Sequence, residues 1–229
     1  MAGTNPYALE ANISEKKAWN GGKSPFGIEY GKVMMWYFLV SDAFTFSAFL
    51  ITYGMLRASS LSWPKAEDVF ASAPLLTGKH PLVFVTFMSF LLIVSSVTMV
   101  RAVQESWKRN KSGVAFWVLM TILGGAGFLS CQAWEWSHLF AEGFGFSNNP
   151  ILNGHQVPNS FSHLFFFITG FHGFHVFSGV VILAILLANT LNGKYDRPGR
   201  DYLMVEKIGL YWHFVDLVWV FVFLVFYLL

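Results

Sequence analysis

Residues 82–103 read LVFVTFMSFLLIVSSVTMVRAV, a run whose one charged side chain, Arg101, stands close to its end. A helix needs about 20 mostly apolar residues to cross roughly 30 Å of hydrocarbon, and this run has that length. Its centre, from Phe87 to Val94, lacks the polar–apolar alternation that a strand of a membrane barrel requires. Because backbone groups in lipid must be paired within their own segment, the run is predicted to be a transmembrane helix.

Four further segments have the same apolar character. They extend over roughly 33–56, 114–140, 161–191 and 208–229, and each reaches the length of about 20 residues that a span needs. The chain as a whole is 55% hydrophobic and 12% charged, about half the charged fraction of an average soluble domain. No internal repeat divides it. We predict an all-α, polytopic membrane helix bundle with five transmembrane helices, forming a single membrane domain over 1–229 with an N-terminal tail at 1–32.

The basic residues are distributed unequally over the connecting segments. Twelve lysines and arginines fall in the tail, in the loop around 101–111 and in the loop at 192–207. The opposite side has three, Arg57, Lys65 and Lys79. Cytoplasmic loops carry the excess of basic residues in membrane proteins, so we predict a cytoplasmic N-terminus and an external C-terminus. The tail has no apolar h-region, so a secretory signal is not expected.

Charge and cysteine content exclude two classes of function. The formal net charge is +2, and no run of basic residues is long enough to indicate a nucleic-acid partner. Cys131 is the one cysteine, so the chain can form neither an internal disulfide nor a cysteine-based metal site.

A few ionisable side chains lie inside the predicted spans, where a charge is costly and normally faces protein. Counting depth at about 1.5 Å per residue places one group in the central to inner half of the membrane. This inner group contains Asp42, His172, His175, His213 and Asp216. A second, outer group contains Glu135, His138 and His163. We predict that the two groups form two polar layers, the inner one serving proton uptake or helix packing.

The histidines allow three chemical interpretations. His172 and His175 are three residues apart and can share a helix face, as metal ligands do. A zinc, iron or haem site would need further ligands with suitable geometry. Packed, hydrogen-bonded histidines and a proton-handling role are the other two interpretations. The interleaved Gly170, Gly173 and the nearby Gly179 are predicted to lie where another helix approaches closely, since only small side chains permit this.

Asp42 also has two interpretations. It is either a proton relay or a packing residue whose carboxyl fixes neighbouring helices. An ionised carboxylate without a partner is strongly disfavoured in hydrocarbon. We therefore predict that Asp42 faces another helix, with histidine or hydroxyl groups of the fourth or fifth span within reach.

Four stretches resemble the signatures of one family. They are GFHGFHV at 170–176, YWHFVDLVW at 211–219, QAWE at 132–135 and the Ser41–Asp42 pair. Together they resemble subunit III of the haem–copper oxidases, the cytochrome c and quinol oxidases. The stretches occur in the family's order, and the resemblance covers nearly the whole chain, from about Gly31 onward.

The resemblance implies an accessory subunit of a proton-pumping terminal oxidase in a bacterial inner membrane. It implies no haem, copper or other metal on this chain, with haem and copper in partner subunits. It further implies packing against the catalytic subunit I, bound phospholipid, and support of proton uptake. Two features depart from the family's long form. The chain has room for five of its seven helices, lacking the two that border its lipid cleft, and Asp42 stands where glutamate is common.

Two other functions are compatible with the ionisable residues. One is an independent transporter or proton channel built on Asp42, Asp216 and the histidines, although the sequence lacks the inverted repeats and broken helices of many transporters. The other is a haem-binding membrane cytochrome. Co-purification with haem-containing subunits separates the oxidase subunit from the transporter, and visible absorption of the isolated chain separates both from the cytochrome.

Overall fold

The computed structural model describes residues 30–60, 63–70, 82–145, 150–152, 155–195 and 202–228. Its helices are α1 (Tyr30–Ser59), α2 (Ala66–Val69), α3 (Val83–Trp107), α4 (Lys111–Ala141), α5 (Asn159–Leu191) and α6 (Leu203–Phe223). A π-helical turn, Leu224–Leu228, continues α6, and the two-residue strands β1 (Ile151–Leu152) and β2 (His155–Gln156) pair antiparallel. Every helix except α2 is long and apolar enough to span a membrane, so the prediction of five spans is confirmed. Residues 1–29 of the predicted tail lie outside the described residues.

The helices extend beyond the predicted spans. The first helix includes residues 30–32, which the prediction gave to the tail, and α6 begins at Leu203 rather than near 208. Likewise α3 continues to Trp107 instead of ending near 103. Hydropathy marks the part of a helix that lies in hydrocarbon, whereas backbone hydrogen bonding continues through the polar turns beyond it.

Three helix ends share one backbone arrangement. After α3, the amide of Asn110 donates to the Glu105 carbonyl and that of Arg109 to the Ser106 carbonyl, the paired bonds of a Schellman motif. The α4 and α5 ends repeat it, with Gly143 and Gly193 at positive φ angles of 90° and 65°. Glycine accepts this left-handed conformation without strain, whereas Arg109 adopts it with a φ of 55°. The turn after α3 makes the connection between α3 and α4 short, so these two helices run antiparallel.

The four helices α3, α4, α5 and α6 form a ring in which each packs against two others. The first helix, α1, lies outside this ring against α5 and α6. Many of its apolar side chains are therefore exposed on the protein surface, for example Phe44 at 73% and Met55 at 69%. In a membrane these side chains meet lipid or another protein.

Trp212 of α6 occupies the centre of the ring. Its indole N–H donates to the Ser95 hydroxyl of α3 at 3.1 Å, and the side chain is 1% exposed. A Cβ atom at Gly125 of α4 would lie 2.5 Å from this ring, and one at Gly179 of α5 would lie 2.9 Å from it. The two glycines therefore provide the space that lets one tryptophan contact three neighbouring helices.

The prediction for the α5 glycines is confirmed at two positions and wrong at the third. Gly170 lies against Trp136 of α4, where an added Cβ would be 2.9 Å from the indole ring, and Gly179 lies against Trp212. Gly173 has open space around the position of a Cβ, with no atom within 4 Å. Gly173 is half-buried, but no side chain of a neighbouring helix fills the space that its Cβ would occupy.

Candidate functional site

Asp42 of α1 and His175 of α5 form a buried pair. Their Oδ2 and Nε2 atoms are 3.2 Å apart, although the alignment is not that of a hydrogen bond. The two residues are 9% and 8% exposed. The prediction that Asp42 faces another helix, with a histidine of the fourth span within reach, is thus confirmed.

The backbone carbonyl of Phe171 determines where the protons of His175 lie. The ring Nδ1 is 2.8 Å from that carbonyl oxygen, which can only accept, so Nδ1 carries a hydrogen. In the neutral ring Nε2 is then an acceptor. The contact with Asp42 is therefore attractive when the pair shares one proton, as histidinium with carboxylate or as neutral ring with carboxylic acid. The neutral ring thus presents the lone pair of Nε2 to the carboxyl group of Asp42.

The position of His175 is fixed by groups of α5 and α6. Its carbonyl oxygen accepts hydrogen bonds from the Tyr211 hydroxyl at 3.1 Å and from the Ser178 hydroxyl at 2.9 Å. These two hydroxyls are 2.7 Å from each other. The ring itself contacts Phe46 and Phe171, with centroids 5.6 and 4.7 Å away. The aromatic contacts exclude lipid from most of the imidazole.

His172, one turn away on α5, is completely buried and contacts three aromatic side chains. It is 0% exposed and contacts Trp219, Phe128 and Phe46, with ring centroids at 5.2, 5.8 and 6.4 Å. Neither ring nitrogen has a hydrogen-bond partner among the described residues. A buried polar atom without a hydrogen bond lowers the free energy of unfolding by about 1–3 kcal/mol. The buried imidazole of His172 therefore destabilises the folded bundle.

The remaining residues of the predicted inner layer lie in another part of the bundle. His213 of α6 contacts Ser96 of α3, with 2.6 Å between Nδ1 and the hydroxyl oxygen. The Ser96 hydroxyl also interacts with the Asp216 carboxyl. The predicted layer thus divides into a pair between α1 and α5 and a cluster between α3 and α6. Sequence reasoning did not single out Ser96, since serines are common in membrane helices and its neighbour Ser95 has the same surroundings in the sequence.

The predicted outer group divides as well. Glu135 is 5% exposed, and both of its carboxylate oxygens accept from the Tyr227 hydroxyl at 3.1 Å, while Gln132 donates to one of them at 3.3 Å. His138 instead contacts Glu142, with 3.3 Å between Nδ1 and Oε1, and His163 is exposed. Tyr227 was missed because the π-helical turn shifts the register of the helix end and brings its hydroxyl inward.

Replacing Tyr227 with phenylalanine is expected to lower the free energy of unfolding by about 1–3 kcal/mol, because the buried Glu135 carboxyl loses a donor and keeps its desolvation cost. The midpoint of thermal unfolding of the purified protein in detergent measures this. Tyr37→Phe is the matched control, since Tyr37 is 70% exposed and should tolerate the same change. Equal midpoints for the two variants would contradict a stabilising role for the Tyr227–Glu135 contact.

Among the described residues, no group of three or more histidine, cysteine, aspartate or glutamate side chains could hold a metal ion. His172 and His175 have neighbours of other kinds, the former aromatic rings and the latter Asp42. Their surroundings therefore favour packing or proton handling over ligation.

A ring of membrane-spanning helices that buries several titratable side chains defines the class, a polytopic helical membrane protein. The family model described as cytochrome c oxidase subunit III matches residues 10–229. The chain belongs to this family and is a multi-pass protein of the bacterial inner membrane.

Relatives from several bacteria support this membership. The chain is 32% identical over 194 residues to the cytochrome bo(3) ubiquinol oxidase subunit 3 of Pseudomonas putida, covering 85% of this chain and 83% of the relative. It is 31% identical over 231 residues to the cytochrome c oxidase subunit 3 of Bacillus sp. strain PS3, covering 100% and 94%. The quinol oxidase subunit 3 of Bacillus subtilis strain 168 is 30% identical over 195 residues, covering 85% and 84%.

Proposed function

We propose that this chain is the accessory subunit III of a proton-pumping haem–copper terminal oxidase, which reduces oxygen to water in aerobic electron transport. The observation that carries the proposal is the family match over residues 10–229. The named relatives divide between cytochrome c oxidases and quinol oxidases at nearly equal identity, so the proposal covers both kinds of electron donor.

The chain's part in the oxidase is proposed to lie outside the redox chemistry. The parent complex is an oxidoreductase whose haem and copper are held by other subunits, and this chain carries no catalytic centre. The aromatic surroundings of His172 and the pairing of His175 with Asp42 support this division. Its direct partner is proposed to be the catalytic subunit I, and membrane phospholipid covers the remaining apolar surface.

The Asp42–His175 pair is proposed to support proton uptake by the oxidase. Three features support this role: burial within the membrane, the 3.2 Å contact, and a histidine whose Nδ1 proton is committed to the Phe171 carbonyl. In the proposed role the pair takes up and releases one proton, rather than remaining a permanent ion pair.

Orientation and domain organisation complete the proposal. Lys32, Arg109 and Lys207 lie at one end of the helix bundle, whereas Arg57 and Lys65 lie at the other. This placement supports a cytoplasmic N-terminus and an external C-terminus.

Contacts continue around α3, α4, α5 and α6, and α1 packs against α5 and α6. These contacts support a single membrane domain.

Affinity purification of the tagged chain in a mild detergent tests the proposal. We expect haem-containing subunits to co-purify, seen in a reduced-minus-oxidised absorption spectrum, and the separated chain to show no haem absorption. A chain that purifies alone and conducts protons in vesicles would instead support the channel alternative. Haem absorption by the isolated chain would indicate a membrane cytochrome.

A further inference from the structure

A small cavity lies beside Glu135, at the end of the bundle that is external in the proposed orientation. Its volume is about 10 Å³, close to the space that one water molecule needs. The end of α2 and the start of α3 line it with apolar side chains, and α4 lines it with polar ones, including Val69, Phe70, Val85, Trp134, Glu135 and His138. Glu135 and His138 supply two polar partners, which is enough to hold a buried water.

The hydrogen bonds of Glu135 leave one requirement open. Its contacts among the described residues come from the Tyr227 hydroxyl and the Gln132 amide, which are neutral groups and both donate to it. A buried carboxylate without a cationic partner is strongly disfavoured in hydrocarbon, so the neutral acid is the form that this site favours. A neutral carboxylic acid has an O–H of its own, which needs an acceptor. A water in the adjoining cavity provides that acceptor.

His138 connects this cavity with the protein surface. It lies three residues after Glu135 on α4, so the two side chains share one side of the helix. Its Nδ1 is buried, makes no aligned hydrogen bond among the described residues, and lies 3.3 Å from Oε1 of Glu142. The side chains of His138 and Glu142 are 33% and 41% exposed. An imidazole can accept a proton at one ring nitrogen and release one from the other, so this ring can pass protons between the cavity and the surface.

The other titratable groups around Glu135 are less suited to this exchange. Tyr227, from the π-helical turn, is 1% exposed, and Cys131 lies one turn earlier on α4 and is half-buried. From α2 and α3 the cavity meets apolar side chains. Among the described residues that line the cavity, His138 is thus the titratable side chain that also reaches the surface.

We propose that the cavity holds one water that bridges Glu135 and His138, and that Glu135 exchanges its proton with the aqueous phase through this water and the His138 ring. In the outward direction the carboxyl O–H breaks as the water gains a proton, and the water gives one of its protons to the ring. The ring then releases its other proton to Glu142 or to bulk water. The reverse steps restore every group. This exchange site is separate from the Asp42–His175 pair and does not depend on the proposed function.

Infrared spectroscopy of the protein in mild detergent tests the exchange. The C=O band of the protonated Glu135 carboxyl is identified by its loss in Glu135→Gln, and its shift after transfer to D₂O gives the exchange rate. We expect His138→Phe to slow this exchange by about ten-fold or more, since a positioned imidazole commonly accelerates proton transfer by at least that factor. Phenylalanine can keep the ring contact with Trp134, whose centroid lies 5.3 Å from that of His138.

His163→Phe is the matched control, because His163 is an exposed histidine near the start of α5. It should exchange at the wild-type rate. Equal rates in His138→Phe and the wild type would overturn the proposal, as would a wild-type spectrum without a band that Glu135→Gln removes, since Glu135 would then be ionised.

Filling the cavity tests the water separately from the histidine. Val85 of α3 lines the cavity and is 2% exposed, so Val85→Ile adds one carbon where the water is proposed to lie. We expect this variant to slow the exchange of Glu135 while both titratable side chains remain in place. Val83→Ile makes the same change at a position that is 48% exposed and should have no effect. Thermal unfolding midpoints show that each variant is folded, and a wild-type exchange rate in folded Val85→Ile would overturn the water bridge.

Discussion

Replacing Gly179 with leucine is expected to destabilise the bundle by about 2–3 kcal/mol, the upper part of the range for overpacking a buried site. A Cβ at this position would already lie 2.9 Å from the Trp212 ring and 3.4 Å from Tyr211. The tryptophan cannot yield easily, because its indole N–H is held by Ser95 and Gly125 lies close to its other side. The midpoint of thermal unfolding in detergent, followed by tryptophan fluorescence, measures the loss.

Gly173→Leu is the control on the same helix. It makes the same chemical change six residues away, where no atom lies within 4 Å of the Cβ position. Leucine has a higher helix propensity than glycine by about 0.8 kcal/mol, so this variant should unfold at the same temperature or a slightly higher one. If both variants lost stability equally, the cause would be the loss of glycine from α5 rather than the contact with Trp212.

Replacing Asp42 with alanine is expected to leave the oxidase assembled and to impair it during turnover. The change leaves His175 Nε2 buried without its partner, at a cost of about 1–3 kcal/mol, which the remaining contacts between the apolar helices should tolerate. If the pair supports proton uptake, the variant complex should turn over more slowly or lose activity sooner. The measurement is oxygen consumption over time by the purified complex, alongside its haem content.

Asp42→Asn separates proton exchange from packing. The amide has nearly the same shape and can keep the contact with His175, but it does not exchange a proton at physiological pH. We expect the asparagine variant to show the same functional defect as the alanine variant while unfolding nearer to the wild-type temperature. Wild-type rate and lifetime in the asparagine variant would reduce Asp42 to a packing residue, and failure of either variant to assemble would make its role structural.

The membrane-spanning helices were predictable because hydropathy is local. Residues 82–103 identify a span without reference to any other part of the chain, and α3 contains that whole run except Leu82. The same locality explains the errors at the helix ends. Lys111 and Leu203 are helical through backbone hydrogen bonds that hydropathy does not measure.

The candidate site was predictable in its membership and less so in its arrangement. Ionisable side chains are rare in hydrocarbon because burying them there is costly, so Asp42, His175 and Asp216 can be identified from the sequence as unusual residues. Their division into separate clusters depends on how each helix is rotated about its axis. That rotation follows from packing, in which Gly125 makes room for Trp212, a contact between residues 87 positions apart in the sequence.

By itself, the sequence determined that the chain crosses a membrane five times, which polar side chains enter the hydrocarbon, and which family its motifs resemble. Only the tertiary structure decided that Asp42 meets His175, that Tyr227 reaches Glu135, and that Ser96 joins His213 to Asp216. The physical reason is that transfer into lipid is a sum over single side chains. A contact between helices depends instead on the rotation and depth of two helices together, which the packing of the whole bundle sets.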